Sequence, residues 1–341
     1  MALMESQIKA SVIIIGRNGR SYLLGCLSSL MDQQCAFQFE IIYVDNASQD
    51  DSVSCIRSNF PEVTLLPLEE NLGYYGAFNL AAQSVARGEY LLPLPQDTIL
   101  HKKCLQELVD AAENDPENQV CLVNTVNPGS PDFVAKEREA WISNVYLMST
   151  SRLGVTLPRQ WKFFQHTVPI LAYSGVSALL KKGAFPESLG FFDPKLSHFL
   201  GDVEVGIRAN VLGGEAILVP TAIVYHIEDN KSWTDVNLLV RSFQGARDTY
   251  LVYFKNMFFL EYLVFIPALL IGIPTKAFAL RNLNPLVKGV LFLGSLVVSP
   301  FAFIASLFRL HLFREDRRLI LSQRKNGRFW LLRTILLHEI N

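Results

Sequence analysis

The stretch Ile41-Ile42-Tyr43-Val44-Asp45-Asn46-Ala47-Ser48-Gln49-Asp50 decides the fold of this chain of 341 residues. An apolar run without alternation reads as a strand buried on both faces, and it ends abruptly on an aspartate and a polar loop. Working outward, Ser11-Val12-Ile13-Ile14-Ile15 is a second such run, followed by the loop Gly16-Arg17-Asn18-Gly19-Arg20. Between the two, Tyr22, Leu23, Cys26, Leu27 and Leu30 recur at helical spacing. Downstream, Asp51 to Asn59 reads as a helix stopped by Pro61, and Val63 to Leu66 as a strand. Gly76 to Ala86 reads as a helix closed by Gly88, Tyr90 to Leu94 as a strand and Leu105 to Ala112 as a helix. Regular alternation from Ile8 to Val123 predicts the α/β class, with a mostly parallel Rossmann-like sheet covered by helices on both faces. Ligands of such sheets bind at the carboxyl ends of strands, and Asp45 and Asp97 both fall at such ends.

Pro128 to His166 has no clean period and is expected to hold strands or loops. A strand is expected over Leu171 to Leu180, a loop over Phe185 to Phe192, a helix over Asp202 to Leu212, and strands over Ala216 to Val219 and at Val224-Tyr225-His226. Leu238 to Phe254 reads as an amphipathic helix.

Half of the residues are hydrophobic, only 18% are charged, and the mean hydropathy is +0.23. The apolar excess concentrates after Met257, so a soluble domain with an apolar tail is expected. Phe258 to Ile273 is apolar apart from Glu261, and Gly289 to Phe308 is uncharged and long enough to span a bilayer. Pro274 and Pro300 argue against straight spanning helices. A spanning hairpin, an interfacial or re-entrant pair and a buried helix pair all fit. The net charge of -1 hides a basic end, with Arg309, Arg314, Arg317, Arg318, Arg324, Lys325, Arg328 and Arg333 against Glu315, Asp316 and Glu339. Basic residues beside apolar runs suit an anionic membrane surface, and with no nucleic-acid motif present a nucleic-acid partner is not expected. The five cysteines are odd in number and lack C-x-x-C spacing, so neither a disulfide framework nor a zinc site is expected. No secretory signal pattern is seen at the N-terminus.

Four residues carry candidate chemistry. Asp45 can accept from a pyrimidine imide or a ribose hydroxyl, or belong to a helix cap. Asp97, in Pro95-Gln96-Asp97-Thr98, can ligate a divalent cation that neutralises a diphosphate, or be an ordinary turn residue. Asp202 can take a proton from a hydroxyl nucleophile, or complement a helix dipole, with Glu204 as the alternative base. His226, at a strand end before a polar loop, can bind a metal or diphosphate, or be structural.

The ordered set resembles the family 2 inverting glycosyltransferases, in their rhamnosyltransferase-like branch. It comprises Ser11 to Asn18, Val44 to Ser52, Asn71-Leu72-Gly73 with Asn79, Pro95 to Thr98, Ser174-Gly175, Gly190 to Asp193, Asp202 with Arg208 and Gly214, and His226. The resemblance implies a GT-A fold, a nucleotide diphosphate-sugar donor (UDP- or dTDP-linked), Mg²⁺ or Mn²⁺ as cofactor, and inversion at the anomeric carbon. It implies nucleotide contacts at Asp45, Asn46, Ser48, Asn18, Asn71 and Gly73, and donor or acceptor contacts at Gly175, Gly201 and Trp233. It further implies Asp97 and His226 at the metal and Asp202 as the base. Where the family commonly has an acidic residue or Asn at the start of the metal motif, this chain has Pro95. Where it has a Glu-Asp pair at the base, this chain has Gly201-Asp202.

The expected organisation is a catalytic domain over 1–230, an amphipathic linker helix over 231–257, membrane-associated hydrophobic helices over 258–308 and a basic tail over 309–341. The expected acceptor is a saccharide, lipid-linked, and the expected location is the cytoplasmic face of a membrane, where surface polysaccharides are begun. The competing functions are a nucleotidyltransferase or dinucleotide oxidoreductase, against which the absence of G-x-G-x-x-G speaks, and a non-catalytic membrane scaffold that binds sugar nucleotides or glycans.

Overall fold

The structure is a computed structural model, and it describes residues 7–126, 145–150, 156–161, 166–172, 176–196, 200–227, 235–279 and 284–337. The first half runs β1 (Ala10–Gly16), α1 (Arg20–Met31), β2 (Phe39–Asp45), α2 (Ser52–Asn59), β3 (Thr64–Pro67), α3 (Gly73–Ser84), β4 (Tyr90–Pro95), β5 (Thr98–Leu100), α4 (Cys104–Asn114) and β6 (Asn118–Val126). Then come β7 (Val145–Thr150), β8 (Thr156–Trp161), β9 (Val168–Ile170), β10 (Ala178–Lys181), α5 (Gly201–Val211) and β11 (Glu215–His226). The chain closes with α6 (Asp235–Asn256), α7 (Phe259–Ala279), α8 (Pro285–Leu307), α9 (Arg314–Gln323) and α10 (Trp330–Leu337).

Among the described residues, nine strands form one mixed sheet in the order β3-β2-β1-β4-β10-β6-β11-β5, with β9 on β11. The long ladders, β1 with β2 and β4 and β6 with β11, are parallel, as the strand–helix alternation predicts. The short strands β5, β9 and β10 run antiparallel to their neighbours. β7 and β8 form a separate antiparallel pair.

The unalternating apolar runs have their expected cause. In β1, Ile13 and Ile15 enter a cluster with Phe78 and Ala81 of α3, while Val12 and Ile14 enter one with Leu23 and Leu27 of α1. Successive side chains of a strand point to opposite faces, so a strand covered on both has no polar face to show. The strand expected over Leu171 to Leu180 is instead β9 and β10 with a break between them. The two short strands expected at Ala216 and Val224 are one, β11, with an irregularity in register between Val219 and Ile223. Pro220 lies there, and it has no N–H to give a ladder. All five cysteines are free, and burial pushes the Cys26 and Cys121 thiols up to about 12, which keeps them protonated and inert.

The helices after β11 are not appended to this core. Tyr250, Leu251 and Val252 of α6, Phe265 and Leu269 of α7, Ile320 of α9 and Leu331 of α10 belong to the same hydrophobic cluster as α3 and α5. The basic end folds back as α9 and α10, and several of its charges turn inward. Arg317 donates from Nε to the Phe254 carbonyl and from Nη2 to the Met257 carbonyl, both at 2.8 Å, satisfying oxygens that the end of α6 leaves without helical partners. Arg324 pairs with the buried Glu261 at 2.9 Å, and Glu261 also accepts from the Leu332 amide at 2.9 Å.

Candidate functional site

Each candidate residue sits where a strand or helix ends. Asp45 closes β2, level with Gly16 at the end of β1. Its side chain is buried at 3% exposure; Oδ2 accepts from the Ser48 amide at 3.1 Å, and Oδ1 is enclosed without a partner. A buried carboxylate oxygen left unsatisfied is costly, and a ligand donor reaching it would remove that cost. Asn46 spans to the start of α3, accepting from the Leu72 amide at 2.9 Å and donating to the Gly73 carbonyl at 3.2 Å. Asn71 accepts from the Gly73 amide at 2.9 Å. Asn18 and Ser48 hold two loops together: the Asn18 amide donates to Ser48 Oγ at 2.9 Å and the Gln49 amide to Asn18 Oδ1 at 2.8 Å. Asn18 and Ala47 both have positive φ, 51° and 61°, a backbone state found at binding loops more often than elsewhere.

Asp97 lies in the turn between β4 and β5. The antiparallel pairing of β5 with β11 sets Thr98 opposite His226 and brings His226 Nε2 to 3.4 Å from Asp97 Oδ2. The Ile227 amide donates to the Asp97 carbonyl at 2.8 Å, extending that pairing past the turn. Neighbouring ligands of an octahedral cation at about 2.1 Å stand about 3.0 Å apart, so the two side chains need little movement to share an ion. Among the described residues no group of three or more His, Cys, Asp or Glu side chains could hold a metal alone. A two-donor set fits Mg²⁺ or Mn²⁺ when phosphate oxygens and water complete the shell.

Asp202 is half-buried in the first turn of α5, with its Oδ1 accepting from the Val203 amide at 2.8 Å. The preceding Gly201 is explained by Tyr75. The Gly201 amide donates to Tyr75 Oη at 3.0 Å, and a Cβ on Gly201 would lie 2.4 Å from Tyr75 Cζ. The phenol thus occupies the space that any side chain at this position would need. Tyr75 is fixed in turn by stacking on Phe192, with ring centroids 4.9 Å apart. Its neighbour Tyr74 ties the motifs together: burial pushes its hydroxyl up, and the charges of Asp97 and then Asp202 push it further. Both carboxylates therefore lie within electrostatic reach of one buried phenol, which stays protonated.

Glu204 has a different setting from Asp202. It is wholly buried, 3.2 Å from Arg208 and 3.2 Å from Lys255. Lys255 also holds Asp193 at 2.7 Å. Arg208 donates from Nη1 to the Gly190 carbonyl at 3.0 Å and from Nη2 to the Phe191 carbonyl. Asn79 clasps the same loop from the other side, donating to the Phe192 carbonyl at 2.6 Å and accepting from its amide at 3.1 Å. Arg208 and Asn79 therefore hold the Gly190–Asp193 loop, and Glu204 is enclosed between Arg208 and α6.

Gly175 and Trp233 lie outside the described residues. Periodicity gave no sign of Tyr74, Tyr75 or Gln96. Gln96 donates to the Arg17 carbonyl at 3.0 Å and accepts from Tyr43 Oη at 2.9 Å, joining the Asp97 turn to the first loop. A Cβ on Gly19 would lie 1.8 Å from Gln96 Oε1, so a side chain there would have to displace the Gln96 carboxamide from this position. A polar residue beside a candidate ligand is a signal only once the two loops are known to meet.

Residues 11–178 match the family described as Glycosyl transferase family 2. The chain belongs to that family. The uncharacterized glycosyltransferase YfnE of Bacillus subtilis is 34% identical over 117 residues, which is 33% of this chain and 29% of YfnE. The N-acetylglucosaminyl-diphospho-decaprenol L-rhamnosyltransferase of Mycobacterium tuberculosis is 24% identical over 211 residues, 57% of this chain and 68% of that protein. In the solved structures, S. aureus TarS 1–349 in complex with UDP superposes with a TM-score of 0.55 at 15% identity, over 97% of this chain and 90% of that one. The mannosyltransferase PcManGT of Pyrobaculum calidifontis, in complex with GDP-Man and Mn²⁺, superposes with a TM-score of 0.50 at 17% identity, over 94% and 85%. At such identities the family 2 glycosyltransferase shares its fold with these two proteins.

Proposed function

We propose that this family 2 glycosyltransferase moves a hexose or deoxyhexose from a UDP- or dTDP-linked donor to a saccharide acceptor, with inversion in a single displacement. The observation that carries the reading is the Asp97–His226 pair at 3.4 Å, created by strand pairing at the same carboxyl end of the parallel strands as the unpartnered Asp45 oxygen. In this reading Asp45 receives a base or ribose donor at Oδ1, and the linked loops of Asn18, Asn46, Ser48, Asn71 and Gly73 shape the nucleotide cleft. Asp97 and His226 hold Mg²⁺ or Mn²⁺, whose chemistry there is to neutralise the departing diphosphate. Asp202 accepts the proton of the acceptor hydroxyl as that oxygen attacks the anomeric carbon. Gly201 borders the sugars, and the family resemblance gives Gly175 and Trp233 the same role. Tyr75 positions the first turn of α5 and so aims Asp202. The mycobacterial relative's rhamnosyl transfer to a decaprenol-linked acceptor makes a lipid-linked acceptor the first to try. The apolar α8 supports work at the cytoplasmic face of a membrane, where nucleotide sugars are available.

Titration calorimetry of UDP- and dTDP-sugars, with and without Mn²⁺, tests the donor half of the reading. Asp97→Ala is expected to abolish the metal dependence of binding while the melting temperature holds. Equal metal dependence in the variant would remove Asp97 from this role.

A further inference from the structure

α8 carries an unpartnered apolar stripe along its whole length. Leu286, Val290, Leu293, Val297, Phe301 and Ile304 follow helical spacing, and all are between 49% and 77% exposed. The stripe continues to Phe308, 77% exposed. Beside it, α7 exposes Leu260, Val264 and Ile271 at the same spacing. The opposite side of α8 is fastened to the protein. Ser299, Ala302 and Ser306 are fully buried, Tyr250 Oη of α6 lies 2.8 Å from Ser299 Oγ, and the Tyr250 and Phe303 rings stand 5.1 Å apart. α6 is itself locked into the catalytic core through Lys255 and its ion pairs with Asp193 and Glu204.

The charges of this region have one sign. From Tyr262 to Arg314 the chain contains no Asp or Glu, and it contains Lys276, Arg281, Lys288, Arg309 and Arg314. Lys288 lies within α8 itself. Lys288 stands two residues from both Leu286 and Val290, on the side of α8 away from the stripe, and Arg309 donates to the Lys195 carbonyl at 2.8 Å, while Arg314 at the start of α9 is exposed. The net positive charge of the segment as a whole favours an anionic surface. Crossing a bilayer would require α8 to stand upright in the hydrocarbon, but α6, which bears Arg247, Asp248 and Lys255, is packed along it. A helix with one apolar face outward and the other fastened to a soluble core lies in the membrane plane instead.

We propose that the outer face of the α7–α8 pair seats in a single leaflet of an anionic membrane, parallel to its surface and without crossing it. The proposal rests on the membrane reading given above and specifies its geometry and lipid charge.

The test uses the full chain and vesicles of phosphatidylcholine, alone or mixed with phosphatidylglycerol. Flotation is expected to show binding to the mixed vesicles that weakens with salt. It is expected to fall at least about tenfold in Val290→Glu/Leu293→Glu/Phe301→Glu, since charge on an interfacial apolar face opposes insertion. Leu24→Glu, an exposed apolar position on α1, is expected to bind as the parent does. Melting curves of all three show whether the fold is kept. If the triple variant melts early, the single variant Val290→Glu decides in its place. Depth is read from Leu286→Trp, Val297→Trp and Phe308→Trp by quenching with lipids brominated near the headgroup or deep in the chain, relative to the parent. Similar shallow quenching at all three positions is expected. A deep Val297 with shallow ends would overturn the in-plane geometry and leave the membrane reading standing. Equal binding to uncharged vesicles would overturn the lipid charge. No vesicle binding, with a dimer that the triple variant dissociates, would overturn both this proposal and the membrane reading.

Discussion

Asp202 begins α5 half-buried, and Glu204, two residues on, is enclosed by Arg208 and Lys255. Either carboxylate fits the base from sequence alone, because both precede or open the same helix. Burial and pairing separate them. Asp202→Asn is expected to keep donor affinity and lower turnover by about a hundredfold or more, the scale of losing a general base. Steady-state rates with calorimetric donor binding check this, and near-normal turnover in the variant would exclude Asp202 as the base. Tyr75→Phe keeps the ring against Gly201 but removes the oxygen that receives its amide. It is expected to lower stability by about 1 kcal/mol, the net worth of a hydrogen bond. A fall in kcat with little change in donor KM would mark a positioning role. A loss of stability alone would leave Tyr75 a structural residue. The strand-end placement of Asp45 and His226 was legible in the sequence because each closes an apolar run, and that of Asp97 because the run before it stops at Pro95. Tyr74, Tyr75 and Gln96 were not, since their importance comes from β1, β4 and α3 converging, which no local pattern records.

At the scale of elements, the network joining α5, α6 and the Gly190–Asp193 loop is the feature the sequence concealed. Arg208 and Asp193 stood out only as matches to a family pattern, and Lys255 was one basic residue near a helix end. Pairing explains them. Burial alone disfavours a charged Asp193, but Lys255, with Lys195 and the Lys195 amide, holds its carboxyl below the usual carboxylate range. A carboxylate depressed in the folded state contributes stability that is present above its unfolded pKa, about 3.9. That contribution is lost as pH falls through the folded value. The wild-type melting temperature is therefore expected to drop on acidification below about pH 4. Lys255→Met leaves Asp193 and Glu204 buried against an apolar side chain, at a cost of about 3–5 kcal/mol near neutral pH. Its melting temperature is expected to lie well below wild type at pH 7 and to close part of the gap as acid protonates Asp193, which has lost its ion pair, while Glu204 keeps Arg208 at 3.2 Å. Melting curves from pH 4 to pH 8 check this. A gap of constant size across that range would show that Asp193 does not depend on Lys255.

For the whole molecule, sequence composition draws a boundary near Met257, with a soluble part before it and an apolar tail after. Composition reports how much apolar surface a segment has, but not which face it buries. The helices beyond the boundary divide their surfaces: Phe265, Leu269, Ile320 and Leu331 complete the core shared with α3 and α5, while Val290, Leu293 and Phe301 face outward. Arg317 and Arg324 donate to the backbone carbonyls of Phe254 and Asn256 at the end of α6, and Asp316 pairs with Lys195 at 2.5 Å. Removing everything after Asn256 would therefore expose Tyr250, Tyr253 and Phe254 and strand the last carbonyls of α6. Each large apolar side chain so exposed forfeits about 1.5–3 kcal/mol of burial, against a total stability of about 5–15 kcal/mol for an ordinary domain. The shortened chain is expected to aggregate, or to melt far below the full-length protein, and to be cut quickly by protease within α6. The full-length triple glutamate variant, whose changes lie only on the outward face, is expected to keep the wild-type melting temperature and to need less detergent for solubility. Limited proteolysis and thermal melts of the two side by side distinguish a detachable anchor from an integral part of the fold. A shortened chain that stays soluble and melts like the parent would show the C-terminal helices to be an appendage.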